Sequence, residues 1–349
     1  MLLPPIYGHE GVKSRLAGAH ASGKLPQSLL LTGPRGVGKQ RLALWLAQLI
    51  HCEAPGNGGA EPCGDCRPCR LVLSLQHPDV HWFVPIELSK RGGSGGTDAD
   101  KQVELVADAL AEEMAARREQ ALYAPAAGLE SHPVASVRLL LKRLTLTPAM
   151  GKRKVFVVGD AERLIPQLGT EVAANALLKA LEEPPADSVL ILTAADPGAL
   201  LPTILSRVVL VRVARIADSA VTAFAQQIMG ISTKPELAQR VTAAEGCIGK
   251  LFATDSARSA QPDQTARFWE APMLFALGQV PFQARGGFTA MLDTLAERLR
   301  SEVRRGGDTG KLVEAIAAVM DARDLAQGNV NPQLLAAVLA EDLEGVRRS

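Results

Sequence analysis

Aromatic residues are scarce in this chain: tryptophan, tyrosine and phenylalanine make up 4% of 349 residues. With a hydrophobic content of 47%, the core must be aliphatic and carried on Ala- and Leu-rich helices, and the length suffices for two or three domains. An excess of either charge is also missing, since 38 Lys and Arg stand against 37 Asp and Glu. No global field drives the chain onto nucleic acid or a membrane, so any DNA contact must be local or shared with partners. No run approaches the ~18 uninterrupted apolar residues of a membrane span. The opening Met-Leu-Leu-Pro-Pro-Ile-Tyr has neither the basic region nor the apolar core of an export signal. The expected location is cytoplasmic, with no membrane partner. Cysteine is rare too, yet four of the five, Cys52, Cys63, Cys66 and Cys69, crowd into one short stretch.

Their Cys-x10-Cys-x2-Cys-x2-Cys spacing lets four thiolates close a tetrahedral shell around Zn2+, with Gly64, Asp65, Arg67 and Pro68 as the turn-forming spacers. A shell closed by four sulfurs leaves no position for a reacting water, so the expected role is structural. Two alternatives stay open: the triple Cys-x2-Cys-x2-Cys is also part of an iron–sulfur pattern, and disulfides are chemically possible. A reducing cytoplasm favours the thiolate readings. Cys247 reads as a small buried thiol.

About a dozen residues before Cys52, the apolar run Ser28-Leu-Leu-Leu-Thr32 leads into Gly33-Pro-Arg-Gly-Val-Gly-Lys-Gln40. Leu42, Trp45, Leu46 and Leu49 then recur at helical spacing. This is the strand, loop and helix of a phosphate site, in which Gly33, Gly36 and Gly38 free backbone N–H groups to wrap an anion and Lys39 reaches it. A further strand is expected at Val80 to Val84, after a short helix over Leu71 to Gln76 that is closed by His77-Pro78-Asp79. Others follow at Lys154 to Val158, Ser188 to Thr193 and near Val208 to Val213, alternating with helices at Val134 to Leu146 and Glu171 to Glu183. Strands that alternate with helices predict a three-layer parallel α/β sheet. In the second of these helices Val172, Ala176, Leu177, Ala180 and Leu181 make the expected core stripe. From 87 to 133 the composition shifts to a Gly/Ser linker and an Ala/Glu/Arg-rich helix, read as an insertion and, on the simplest account, a solvated helix. No convincing strand follows Ala214.

The phosphate site departs from what hydrolysis needs. Gln40 stands where Ser or Thr would hold Mg2+, and Ala161 stands after Asp160 where a carboxylate would orient the attacking water. Glu162 could supply that carboxylate only if the strand end were shifted by one residue, and otherwise reads as a solvated glutamate at a helix start.

The stretch Asn175-Ala-Leu-Leu-Lys-Ala-Leu-Glu-Glu-Pro-Pro185, the cysteine knob, His77-Pro78-Asp79 and Leu205-Ser-Arg207 together resemble the AAA+ subunits of bacterial DNA polymerase III clamp loaders over roughly residues 8–256. The resemblance implies a AAA+ RecA-like three-layer domain over 1–214, holding a zinc module at 52–69 and a lineage-specific helical insertion at about 87–133. A small helical lid at 215–258 and an all-α collar domain at 259–349 would follow. Within the family, the motor type called tau or gamma hydrolyses ATP. Gln40, Ala161 and Gly249, where a motor carries a lid arginine, instead resemble the delta-prime type, with a phosphate loop that binds nucleotide weakly or not at all. The resemblance further implies that Arg207 acts in trans on ATP held by a neighbouring motor, and that Thr193 occupies the γ-phosphate sensor position. Implied partners are tau/gamma and delta subunits and, through the complex, the sliding clamp and primer–template DNA. Val208 stands where the family usually has cysteine. Two rival readings are a self-sufficient ATPase motor and a zinc-dependent DNA-binding protein.

Overall fold

Five strands, β1 (Ser28–Thr32), β2 (Val80–Phe83), β3 (Lys154–Val158), β4 (Ser188–Ala194) and β5 (Val209–Arg212), form one parallel sheet in the order β2-β3-β4-β1-β5. This is a computed structural model that describes residues 3–86, 99–119, 131–164, 171–252, 271–276, 287–304, 308–326 and 331–348. Alternate side chains of the central strands enter opposite layers, as the period of two requires. Leu29, Leu31, Val155, Val157, Val189 and Ile191 join one core, and Leu30, Phe156, Val158, Leu190 and Leu192 the other. Both faces are dry, which is why these strands read as unbroken apolar runs. β5 is an edge strand, and Val209 and Leu210 are exposed there.

The helices α1 (Glu10–Ala21) and α2 (Lys39–His51) supply apolar residues to the first core. The opposite layer is made by α4 (Ala99–Glu119), α5 (Val134–Leu144) and α6 (Val172–Glu182). Three expectations need correction. The insertion helix α4 is not merely solvated, because Val103, Val106, Ala109 and Leu110 are buried in the core and Arg117 lies 4.6 Å over the Trp82 ring of edge strand β2. The stripe on α6 is rotated, with Ala173, Ala174, Leu177, Ala180 and Leu181 buried while Val172 is 54% exposed. The short helix α3 spans Arg67–Leu73, starting earlier than expected because Cys66 forms its N-cap position and Pro68 lies in its first turn.

Asp79, 2% exposed, accepts hydrogen bonds from the backbone N–H groups of Ala149, Met150 and Gly151 at 2.5, 2.7 and 2.7 Å. Burial alone would raise its pKa, but the three amides outweigh it and hold the carboxyl below its ordinary range. Asp79 thus fixes the loop that launches β3. The sheet's carboxyl ends carry Gly33, Asp160 and Thr193 side by side, the edge at which open α/β sheets bind ligands.

Beyond β5, α8 (Asp218–Gln227) and α9 (Lys234–Ala244) share a small apolar cluster of Val221, Phe224, Ala225, Val241 and Leu251. This first compact unit ends at Ala257, and a second is built on Arg258–Ser349. Three long helices of the second unit, Gly287–Arg304, Thr309–Leu325 and Pro332–Arg348, close on an aliphatic core that includes Leu292, Leu299, Val319, Leu339 and Leu343. No described helix is long and apolar enough to cross a membrane.

Candidate functional site

The phosphate loop has the predicted geometry but is satisfied by its own chain. Gly33 has φ +157 and Gly36 φ +76, and a Cβ on Gly33 would lie 2.1 Å from the Val213 carbonyl oxygen. Gly38, at φ 104, occupies the N-cap position of α2. The amine of Lys39 donates to the carbonyls of Gly33 and Pro34 at 2.7 and 3.0 Å. Burial lowers the pKa of this lysine against the raising pull of Asp160 and Glu162.

The Gln40 amide Nε2 donates to Asp160 Oδ2 at 3.3 Å. A side-chain bond therefore ties the start of α2 to the carboxylate at the end of β3. Asp160 has left-handed backbone, φ 49, and its N–H donates to Thr193 Oγ1 at 3.1 Å. The Thr193 hydroxyl thus already holds the strand end. His132 stands behind this strand end, fully buried, and its Nε2–H donates to the Gly159 carbonyl at 2.7 Å. Ala161 is fully buried in the core and brings no carboxylate to the site.

Glu162 differs from the expectation of a solvated glutamate. Its Oε1 accepts from the Ala195 N–H at 3.1 Å, while Oε2 is buried with no hydrogen-bond partner among the described residues. Burial raises its pKa, with amides and Arg35 opposing and Asp160 adding to the rise. The sequence carries no signal for this, because the acceptance depends on a strand end more than 30 residues away.

The segment after α9 meets the loop backbone to backbone. Gly249 N–H donates to the Gly36 carbonyl at 2.8 Å, and a Cβ on Gly249 would lie 2.5 Å from Gly36 Cα. A side chain of any size cannot occupy this docked position. Lys39, Gln40 and Gly249 are thus each engaged in contacts internal to the fold.

The cysteine group is assembled from three short pieces. Cys52 follows the end of α2, Cys63 lies in the following loop, and Cys66 and Cys69 sit at the start of α3. Their four sulfurs lie within 4.8 Å of one another, compatible with the edges of about 3.8 Å that four bonds of about 2.3 Å to one ion would set. Two backbone amides already point at sulfur, Cys63 N–H to Cys52 at 3.3 Å and Cys66 N–H to Cys63 at 3.4 Å. The Cys63 thiol is pulled down to about 7, first by the Cys66 amide and then by that of Asp65, whereas burial pushes Cys69 up. Glu61 ties this knob to the sheet domain, accepting from Trp45 Nε1 at 2.8 Å and pairing with Lys13 at 3.0 Å. The donor set fits a closed four-sulfur metal site.

Arg207 lies on the surface after α7 (Pro202–Leu205), away from the loop in sequence and in bonding. Its Nε donates to Glu182 Oε1 at 2.7 Å and Nη2 bonds the same oxygen. Nη1 donates to the Thr203 carbonyl and to Ser206 Oγ at 2.9 and 3.0 Å. No other predicted site residue bonds to it.

The sheet order, with a glycine loop running from β1 into α2, defines a domain of the AAA+ type. The profile of a family described as DNA polymerase III, delta subunit, matches residues 8–217, and the chain belongs to that family. Its relatives include the DNA polymerase III subunit delta' of Pseudomonas aeruginosa, 35% identical over 181 residues, which are 52% of this chain and 40% of that protein. The delta' subunit of Bacillus subtilis is 33% identical over 184 residues, covering 53% and 41%. The tau subunit of Salmonella typhimurium is 26% identical over 348 residues, covering 98% and 46%. The chain thus spans about two fifths of the length of the delta' relatives it matches.

Proposed function

We propose that this chain is the delta-prime, or stator, subunit of a DNA polymerase III clamp loader, supporting ATP-dependent loading of the sliding clamp on primer–template DNA. In this reading residues 215–258 form the lid and 259–349 the collar that joins the other subunits. The observation that carries the reading is the contrast between two sites on one chain. The phosphate loop is filled by its own contacts, with Gln40 bonded to Asp160, Lys39 to loop carbonyls and Gly249 to Gly36. Arg207 is surface-borne and unburdened by any role in that loop. A chain of this design contributes shape and one cation to a neighbour's reaction.

The neighbour would be a tau/gamma motor subunit, and Arg207 would reach the γ-phosphate of its ATP. A guanidinium neutralises the charge that spreads over the phosphoryl oxygens in the transition state, and its planar fork matches two of them at once. It needs no metal or base on its own subunit. The knob carries Zn2+ in a purely structural role, supported by the four-sulfur donor set. The alternative of a hydrolysing motor is disfavoured because neither Gln40 nor Ala161 can replace the missing magnesium ligand and water-orienting acid.

The test is to mix the chain with motor and delta subunits, isolate the complex and compare ATP turnover. The expected result is a stable complex that hydrolyses ATP while the isolated chain does not. Turnover of about 1 per second by the isolated chain, abolished by Lys39→Ala, overturns the stator reading in favour of a motor.

A further inference from the structure

Arg207 is already bonded on its own surface, and the role this gives its partner rests on the trans-acting role of the arginine itself. A guanidinium has five N–H donors. Here Nε and one hydrogen of Nη2 go to Glu182 Oε1, and the two of Nη1 go to the Thr203 carbonyl and Ser206 Oγ. The edge formed by Nε and Nη2, one of those that grip an anion in parallel bonds, is therefore already taken by a carboxylate.

Glu182 has no evident reason of helix stability to be there. It is the last residue of α6 and is followed by Glu183, and carboxylates at a helix C-terminus are disfavoured by the macrodipole. Its backbone position is nevertheless firmly set, because Pro184 and Pro185 follow directly and the Pro185 carbonyl accepts from Gln27 Nε2 at 2.7 Å. On the other side, Thr203 and Ser206 hold the arginine at the end of α7. The two side chains of the pair are 29% and 47% exposed, so water competes with the bond and it is readily exchanged.

We propose that Glu182 is a positioning residue for the trans-acting arginine: it parks the Arg207 guanidinium by occupying its phosphate-gripping edge, and yields only when a neighbour's phosphate displaces it. The chemistry of the displacing group is that of a polyphosphate, with more charge and more acceptor oxygens than one carboxylate. The parked state keeps the finger ordered at the surface before assembly and prevents it from pairing with stray anions. The cost is that the neighbour's nucleotide must first compete with Glu182.

Glu182→Gln tests this in the assembled loader, because the amide retains the shape and an acceptor oxygen but loses the charge. The ATP concentration that half-saturates DNA-stimulated hydrolysis should fall by about two- to fivefold, the competition expected from one exposed ion pair, and by more than any change in turnover. In a complex carrying Arg207→Ala, adding Glu182→Gln should change nothing further. Half-saturation that is unchanged or raised by Glu182→Gln overturns the proposal, as does an equal shift in the Arg207→Ala background, which would show Glu182 acting through another group. If Arg207→Ala itself leaves the loader unaltered, the trans-acting reading fails and this proposal falls with it, a result distinct from the other two.

Discussion

Replacing Gly249 with alanine should separate the segment after α9 from the phosphate loop. The added Cβ would lie 2.5 Å from Gly36 Cα and 3.2 Å from its carbonyl oxygen, against an ordinary carbon–carbon contact of about 3.5–4.0 Å. Both opposing atoms belong to backbone, so no rotamer change relieves the clash and the two segments must part by roughly 1 Å. Overpacking of this kind costs about 1–3 kcal/mol. The Gly249 N–H to Gly36 carbonyl bond, 2.8 Å long, would stretch beyond usefulness and add about 1 kcal/mol. The sheet has no part in this contact, so the loss should be taken locally, by undocking of the Gly249 segment, before it is taken globally. Native-state hydrogen exchange would read it, with the Gly249 amide losing about 30- to 10³-fold of its protection for a loss of about 2–4 kcal/mol. Amides of β3 and β4 should keep theirs. Wild-type protection at Gly249 in this variant would refute the argument that close backbone approach demands glycine there.

Two other outcomes concern the cysteine knob and a buried histidine. Cys66→Ser removes one sulfur from the closed set, so native mass spectrometry should go from one bound Zn2+ to none and the knob should become protease-sensitive while the sheet stays folded; unchanged protease resistance without metal would contradict a structural role. Burial holds His132 down at about 4, against an ordinary 6.5. Below 6.5 the unfolded chain binds a proton that the folded chain refuses, so the full stability present above 6.5 is lost progressively down to about 4. The loss amounts to about 3 kcal/mol. His132→Gln, which keeps a donor for the Gly159 carbonyl, should flatten the decline of the urea midpoint between pH 6.5 and 4; an acid limb identical to wild type would contradict it.

Much of the fold is legible in the sequence because its signals are local. Lys154 to Val158 reads as a strand and is one, since its four residues after Lys154 are apolar and buried on both faces. The four cysteines announce their convergence by spacing alone. Gln40 and Ala161 are informative as wrong residue types in a known frame, and their neighbours then explain what they do instead. Features that depend on distant chain cannot be read this way. Glu162 is drawn inward by the amide of Ala195, and Glu182 meets Arg207 across 25 residues of sequence. Val172 is apolar yet 54% exposed, because α6 turns its alanines rather than its first valine to the sheet. The insertion helix reads as solvated since its charged residues outnumber the four that bury, and only the uncovered flank beside α5 and β2 gives those four a place to go.

The central claim is that this chain serves a reaction on another subunit, and Arg207→Ala in a reconstituted loader tests it most directly. An arginine finger is worth on the order of 10³–10⁵ in rate at the one site it completes. A loader with several ATP sites should therefore lose only part of its DNA-stimulated hydrolysis but most of its coupled clamp loading, with the complex still assembling. Arg207→Lys should restore little, because a point charge cannot reproduce the planar fork. An alanine variant that assembles and loads clamps at the wild-type rate would contradict the account, and Arg207 would then be no more than the surface partner of Glu182.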